Sequence, residues 1–159
     1  MALLEKQLVI KKSTLAGAGK GLFTRKFIPK GARIVEYKGN RVTWKEVEKM
    51  PDYRNGYAFY ITSQCVIDAF NYKKAKGRYA NDAKGISRTK GINTNSEYVT
   101  EARRCYIEAI RDIAPGSEIF VEYGAEYWQV IRYNLRVEKQ NKETERRGKK
   151  LPAKRSTRR

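Results

Sequence analysis

Three short stretches carry the groups best suited to chemistry. Gly17-Ala18-Gly19-Lys20-Gly21 sets three glycines in five positions, which lets a backbone turn tightly and bring its N–H and C=O groups close to a ligand. A plain glycine turn has the same composition. Arg78-Tyr79-Ala80-Asn81-Asp82 follows Gly77 and sets an amide side chain beside small and aromatic residues; an asparagine capping a turn reads the same way. Glu118-Ile119-Phe120-Val121-Glu122-Tyr123 is an apolar run that delivers a tyrosine to Gly124, with Tyr127 and Trp128 close behind. A core strand packed on a helix would look alike.

Several chemistries are excluded at once. The glycine motif is no phosphate loop, because Lys20 is followed by Gly21 and not by Ser or Thr, and it is no dinucleotide fingerprint, because Leu22-Phe23-Thr24 reads as strand. The chain has no histidine, and Cys65 and Cys105 stand singly, so neither a histidine base nor a metal site of the usual zinc ligands is expected. Glu5 and Lys6 interrupt the first apolar stretch, which argues against a signal peptide and for an intracellular, reduced protein. No run approaches the roughly 18 to 20 apolar residues of a membrane span, so a soluble protein without membrane contact is expected.

The elements that must position these groups are short. Apolar runs at Leu8 to Ile10, Arg33 to Tyr37, Tyr57 to Thr62, Cys65 to Ala69, Cys105 to Ile110 and Glu118 to Tyr123 read as strands. Thr43 to Met50 reads as a helix with a Thr cap and Glu46 three residues on, and Ala125 to about Lys142 as a second, with Tyr127, Ile131 and Leu135 at helical spacing. Ile28-Pro29-Lys30-Gly31 and Ile113-Ala114-Pro115-Gly116 resemble one another, each a tight turn feeding an apolar strand that ends on tyrosine. The polar stretch from Asn71 to Asn95 has no clear period and reads as a long loop.

Charge is the other strong signal. Across 159 residues, 35 Lys and Arg against 17 Asp and Glu give a net charge of +18, which attracts nucleic acid, anionic membrane or acidic protein surfaces. Ten basic residues between Lys139 and Arg159 face only Glu143 and Glu145. The organisation expected is one domain over residues 1–135, ending in a helix, then a helix end and a basic, disordered tail over 136–159.

Taken in order, the motifs resemble the SET domain. The likeness runs from Val9 to Trp128: the glycine motif with Leu22-Phe23-Thr24, then Ile28 to Gly31, Glu36-Tyr37-Lys38-Gly39, Tyr57-Ala58-Phe59-Tyr60, Val66-Ile67-Asp68-Ala69, Arg78 to Asn81, and Glu118 to Gly124. The resemblance implies a mainly β fold of several small curved sheets, with a knot-like crossing where the asparagine segment passes the final tyrosine strand, and a C-terminal helix before the basic tail. It implies a protein-lysine N-methyltransferase using S-adenosyl-L-methionine. The family's cofactor contacts fall on Gly19, Lys20, Gly21, Arg78, Tyr79 and Asn81. The catalytic tyrosine falls on Tyr123, and Tyr57, Val121 and Tyr123 line the lysine channel. Trp128, with Tyr127, stands where the family often has a zinc-bearing cover, and can pack on the cofactor or wall the channel.

Two departures bear on activity. Asn81-Asp82-Ala83-Lys84 stands where the family usually has Asn-His-Ser-Cys, and the segment that follows, up to Asn93 or Asn95, is longer than usual. The expected partner is a lysine-bearing protein, histones foremost, although a basic enzyme repels a basic histone tail unless acidic patches or nucleic acid intervene. Val121 is small where the family often has Phe or Tyr, which implies room for more than one methyl. Ser87-Arg88-Thr89-Lys90 resembles the start of histone H3, a likeness cheap in a basic chain. Two other readings stay open: a SET-like binding module holding nucleic acid through its charge and basic tail with little or no transferase activity, and a small ribosome-associated protein.

Overall fold

The computed structural model describes residues 3–51, 56–85, 89–148 and 155. In chain order they form a 3-10 turn (Glu5–Gln7), β1 (Leu8–Lys12), β2 (Lys20–Thr24), β3 (Arg33–Glu36), β4 (Asn40–Val42), α1 (Trp44–Glu48), β5 (Ala58–Thr62), β6 (Cys65–Asp68), a second 3-10 turn (Lys76–Tyr79), β7 (Asn81–Asp82), β8 (Ser96–Glu101), β9 (Arg104–Ala109), β10 (Phe120–Val121) and α2 (Ala125–Arg147). The expected mainly β architecture of small sheets with a closing helix is what the chain adopts. Ser87 and Arg88 of the histone-like tetrapeptide, and all of the tail beyond Gly148 except Arg155, lie outside the described residues.

The chain divides into two compact units, Met1–Asn40 with Asn71–Glu122, and Arg41–Phe70 with Tyr123–Arg159. In the first, β1 and β2 form an antiparallel pair with Val9 opposite Phe23, and β9 lies between β3 and β8 in an antiparallel sheet. Strand β9 alternates as its composition demands, with Cys105, Ile107 and Ala109 buried and Arg104, Tyr106 and Glu108 toward solvent. Tyr106 lies between two guanidinium groups, Arg33 at 4.2 Å and Arg104 at 5.9 Å. Arg104 makes two 2.9 Å bonds to the buried Glu36 carboxylate, which hold its pKa above the ordinary value, and Glu101 and Glu108 do the same for Arg33.

The two similar turns prove to be partners. Ile28 and Ile113 exchange backbone bonds of 2.9 and 2.8 Å, while the Gly31 N–H donates to Ala109 and the Gly116 N–H to Thr24, both at 2.7 Å. Gly31 and Gly116 have φ of 87° and 82°, a conformation that a side chain strains. Likeness in sequence here becomes a local two-fold pairing, with the two isoleucines fully buried at its centre.

A closer approach occurs at Gly77. A Cβ there would stand 2.6 Å from the Glu36 carbonyl oxygen and 3.2 Å from the Tyr37 Cα, both backbone atoms with no rotamer to move. Gly77→Ala is therefore expected to cost about 1–3 kcal/mol or more by overpacking, seen as a lowered urea midpoint. An unchanged midpoint would show that the 3-10 turn can shift.

In the second unit, β6 lies between β4 and β5, and Val47, Ala58 and Val66 are buried together with Val42, Trp44, Met50 and Tyr60 packed around them. The expected capping box is present: the Thr43 hydroxyl accepts from the Glu46 N–H at 3.3 Å, and the Thr43 N–H donates to the Glu46 carboxylate at 2.6 Å. Helix α2 continues five residues past the expected end at Lys142, because Glu143 to Arg147 are mostly good helix formers and Gly148, with φ 67°, supplies the left-handed cap. Among the described residues no helix is long and apolar enough to cross a membrane.

Candidate functional site

Within the first unit the glycine turn and the asparagine segment meet on one carboxylate. Glu118 is 5% exposed and accepts from the Ser13 hydroxyl (2.7 Å), the Thr14 N–H (2.8 Å), the Thr14 hydroxyl (2.6 Å) and the Asn81 amide (3.2 Å). Donors on this scale satisfy a buried charge without a cation. Asn81 Nδ2 also donates to the Lys20 carbonyl at 3.0 Å. Both hydrogens of that amide are thus committed inward, which fixes its plane and leaves Oδ1 as an acceptor. Gly21 lies against the same hub, since a Cβ there would come 2.1 Å from a Glu118 oxygen.

Gly17 and Gly19 differ from Gly21. Their φ values are 76° and 70°, and added Cβ atoms would meet nothing within 4 Å, so the turn needs glycine for its conformation and keeps an open flank. Arg78 and Tyr79 lie on the second 3-10 turn; the Arg78 guanidinium is buried and sits 5.2 Å from the Tyr79 ring centre, and the Tyr79 hydroxyl donates to Lys73 O at 2.7 Å.

The crossing is built without the family's usual histidine and serine. Strand β7 runs parallel to β10, Asn81 beside Phe120 and Asp82 beside Val121, and the Ala83 N–H continues the pairing to Val121 O at 3.4 Å. Asp82 is buried and accepts the Lys84 N–H at 2.8 Å, closing the turn on itself, while Ala83 packs with Leu15 and Phe120. Asn95 does the rest: its Oδ1 accepts from Phe120 N–H at 2.8 Å and its Nδ2 donates to Glu118 O at 2.9 Å. The Ser96 hydroxyl adds a bond to Phe120 O at 2.8 Å. One amide side chain thus serves the far edge of a two-residue strand.

The long polar loop expected over Asn71 to Asn95 is therefore interrupted by a 3-10 turn and by β7. Glu118 and Asn95 were within motifs or boundaries seen in the sequence, but no role pointed to them. The signal for Glu118 is a charge at the head of an apolar run.

In the second unit the tyrosines form an aromatic wall. Tyr123 stacks on Trp128 at 6.0 Å and 15°, and meets Tyr127 edge-on at 4.7 Å, with Tyr127 also edge-on to Trp128 at 5.1 Å. A Cβ on Gly56 would lie 3.8 Å from the Tyr127 hydroxyl, so the segment entering Tyr57 runs beside this cluster, and Tyr57 itself packs on Phe70 at 5.8 Å. Tyr57, Tyr123 and Trp128 thus belong to one unit, whereas Gly19, Lys20, Gly21, Arg78, Tyr79, Asn81 and Val121 belong to the other.

Residues 19–124 match the family described as SET domain. The chain belongs to the SET-domain family of methyltransferases. It is 32% identical over 132 residues to the histone-lysine N-methyltransferase EZH2 of Chaetomium thermophilum, across 75% of this chain and 8% of that protein; the chain spans a small part of that relative's length. Its fold is similar to that of the methyltransferase domain of human PR domain-containing protein 2, with a TM-score of 0.54 and 23% identity, covering 78% of this chain and 83% of the other.

Proposed function

We propose that this SET-domain chain is a protein-lysine N-methyltransferase using S-adenosyl-L-methionine. The observation that carries the reading is Asn81, whose amide hydrogens are held by Lys20 O and Glu118, leaving a fixed acceptor oxygen beside an open glycine turn. That donor-acceptor set fits a ligand bearing an ammonium group and approached by backbone. Gly19, Lys20, Gly21, Arg78, Tyr79 and Asn81 would hold the cofactor. When bound, S-adenosylmethionine supplies a methyl group activated by its sulfonium.

The protein's own part is to deliver a neutral amine in line. Lysine in water is almost wholly protonated at neutral pH, and removing its water among Tyr57, Tyr123 and neighbouring rings favours the uncharged form. The proton can leave to solvent beforehand, so the lack of histidine costs nothing. The Tyr123 phenol offers an oxygen that orients the reactants without competing as a nucleophile. Val121 is fully buried in β10, and its small side chain is the basis for proposing that more than one methyl is added.

The substrate proposed is a lysine on a protein, with histones the leading class because the relative over most of this chain is named a histone-lysine methyltransferase. Titration calorimetry with S-adenosylmethionine tests the foundation. The parent chain should bind, and Asn81→Ala should weaken binding about tenfold or more, as loss of a bond to a charged group predicts. No binding by the parent would end the enzyme reading.

A further inference from the structure

The charge that the sequence concentrates toward its end is organised by α2. Arg132, Arg136, Lys139, Lys142, Arg146 and Arg147 are all exposed, and at about 100° per residue they fall within an arc of roughly 140°. Glu143 is the single carboxylate in that arc; Glu138 and Glu145 lie outside it. The opposite side of the helix carries Tyr127, Asn134 and Val137, its buried residues. From Arg132 to Arg147 the arc is about 22 Å long.

We propose that this face of α2 is a docking surface for the phosphate backbone of double-stranded nucleic acid. The chemistry is charge complementarity: six cations against one carboxylate along one helix face, on a chain of net charge +18. A helix about 10–12 Å across also suits a major groove about 12 Å wide. A membrane-surface helix needs a broad apolar face, whereas Leu135 is the one exposed large apolar side chain on α2 among the described residues. The surface expected for nucleic acid in the sequence was the tail; the face of α2 is an alternative to it.

The test is fluorescence anisotropy with the full chain and a labelled 20-base-pair DNA duplex of arbitrary sequence. Binding should weaken steeply with salt. Combining Arg132→Gln, Arg136→Gln, Lys139→Gln and Arg146→Gln should reduce affinity at least about tenfold and lower the salt slope by about 3 to 4. Glutamine is a good helix former, and circular dichroism checks that the helix persists. Replacing the three arginines by lysine, with Lys139 kept, should restore most of the binding. Neutralising Lys149, Lys150, Lys154, Arg158 and Arg159 instead should cost less than the helix set. The proposal is overturned if the helix variant binds like the parent, if the tail variant loses as much, or if vesicles of phosphatidylserine and phosphatidylcholine compete equally for the same residues.

Discussion

Tyr123→Phe should lower methyl transfer by about a hundredfold or more while leaving S-adenosylmethionine affinity within about threefold. The figure is that for removing one oriented polar group from a reacting centre. The ring itself contributes to packing, stacked on Trp128 and edge-on to Tyr127, and phenylalanine preserves all of that apolar contact. The expected split is therefore in kcat, with thermal stability little changed. Single-turnover transfer measured at saturating cofactor, beside calorimetry on the same preparation, reads both quantities. Parent-like turnover would remove Tyr123 from the chemistry and return it to the core.

Glu118→Ala has the second large effect, this time on stability and cofactor binding together. Four donors lose their acceptor at once: the Ser13 hydroxyl, the Thr14 N–H and hydroxyl, and the Asn81 amide. Two of these can rotate toward other partners, but the Thr14 N–H is fixed by the backbone and the Asn81 amide is held by Lys20 O as well. At about 1–3 kcal/mol for each buried group left unpaired, a loss of about 3 kcal/mol or more is expected. Glu118→Gln should lie between parent and alanine. Whichever way its amide is turned, the NH2 faces a fixed donor, Thr14 N–H on one side or Asn81 Nδ2 on the other. Chemical denaturation and calorimetry check the order; an alanine variant as stable and as tight-binding as the parent would mean that the hub carries no energy.

What could be read from the sequence was whatever is encoded locally. The Thr43 and Glu46 capping box, the strand after Gly21 and the tight turns at Gly31 and Gly116 all announce themselves within a few residues, and all are present. The ordered motifs identified the family, and with it the passage of Asn81 beside Phe120. What escaped depends on partners distant in sequence. Strand β7 has two residues and no periodicity to detect; its existence is decided by β10, nearly forty positions on. Asn95 looks like one more polar residue at the end of a loop until Phe120 and Glu118 are placed beside it. Strand β8 was missed because Glu97, Thr100 and Glu101 make it polar, and it is its neighbour β9 that pairs it throughout. The departure from the family's histidine and serine after Asn81 bears on activity; around the crossing itself Asp82, Ala83 and Asn95 supply contacts of a different kind.

The pairing of the Ile28 and Ile113 turns has a consequence for how the chain must be made. Ile28 finds its backbone partner 85 residues later, and Ser13 finds Glu118 at a separation of 105. Loop closure over such distances comes before any reward from contact, which slows folding and leaves early strands exposed. During synthesis β3 therefore waits for β9, and the free side of β2 for Glu118 and Ile119, so that shortening the chain before Glu122 would yield an aggregation-prone fragment instead of a smaller stable domain.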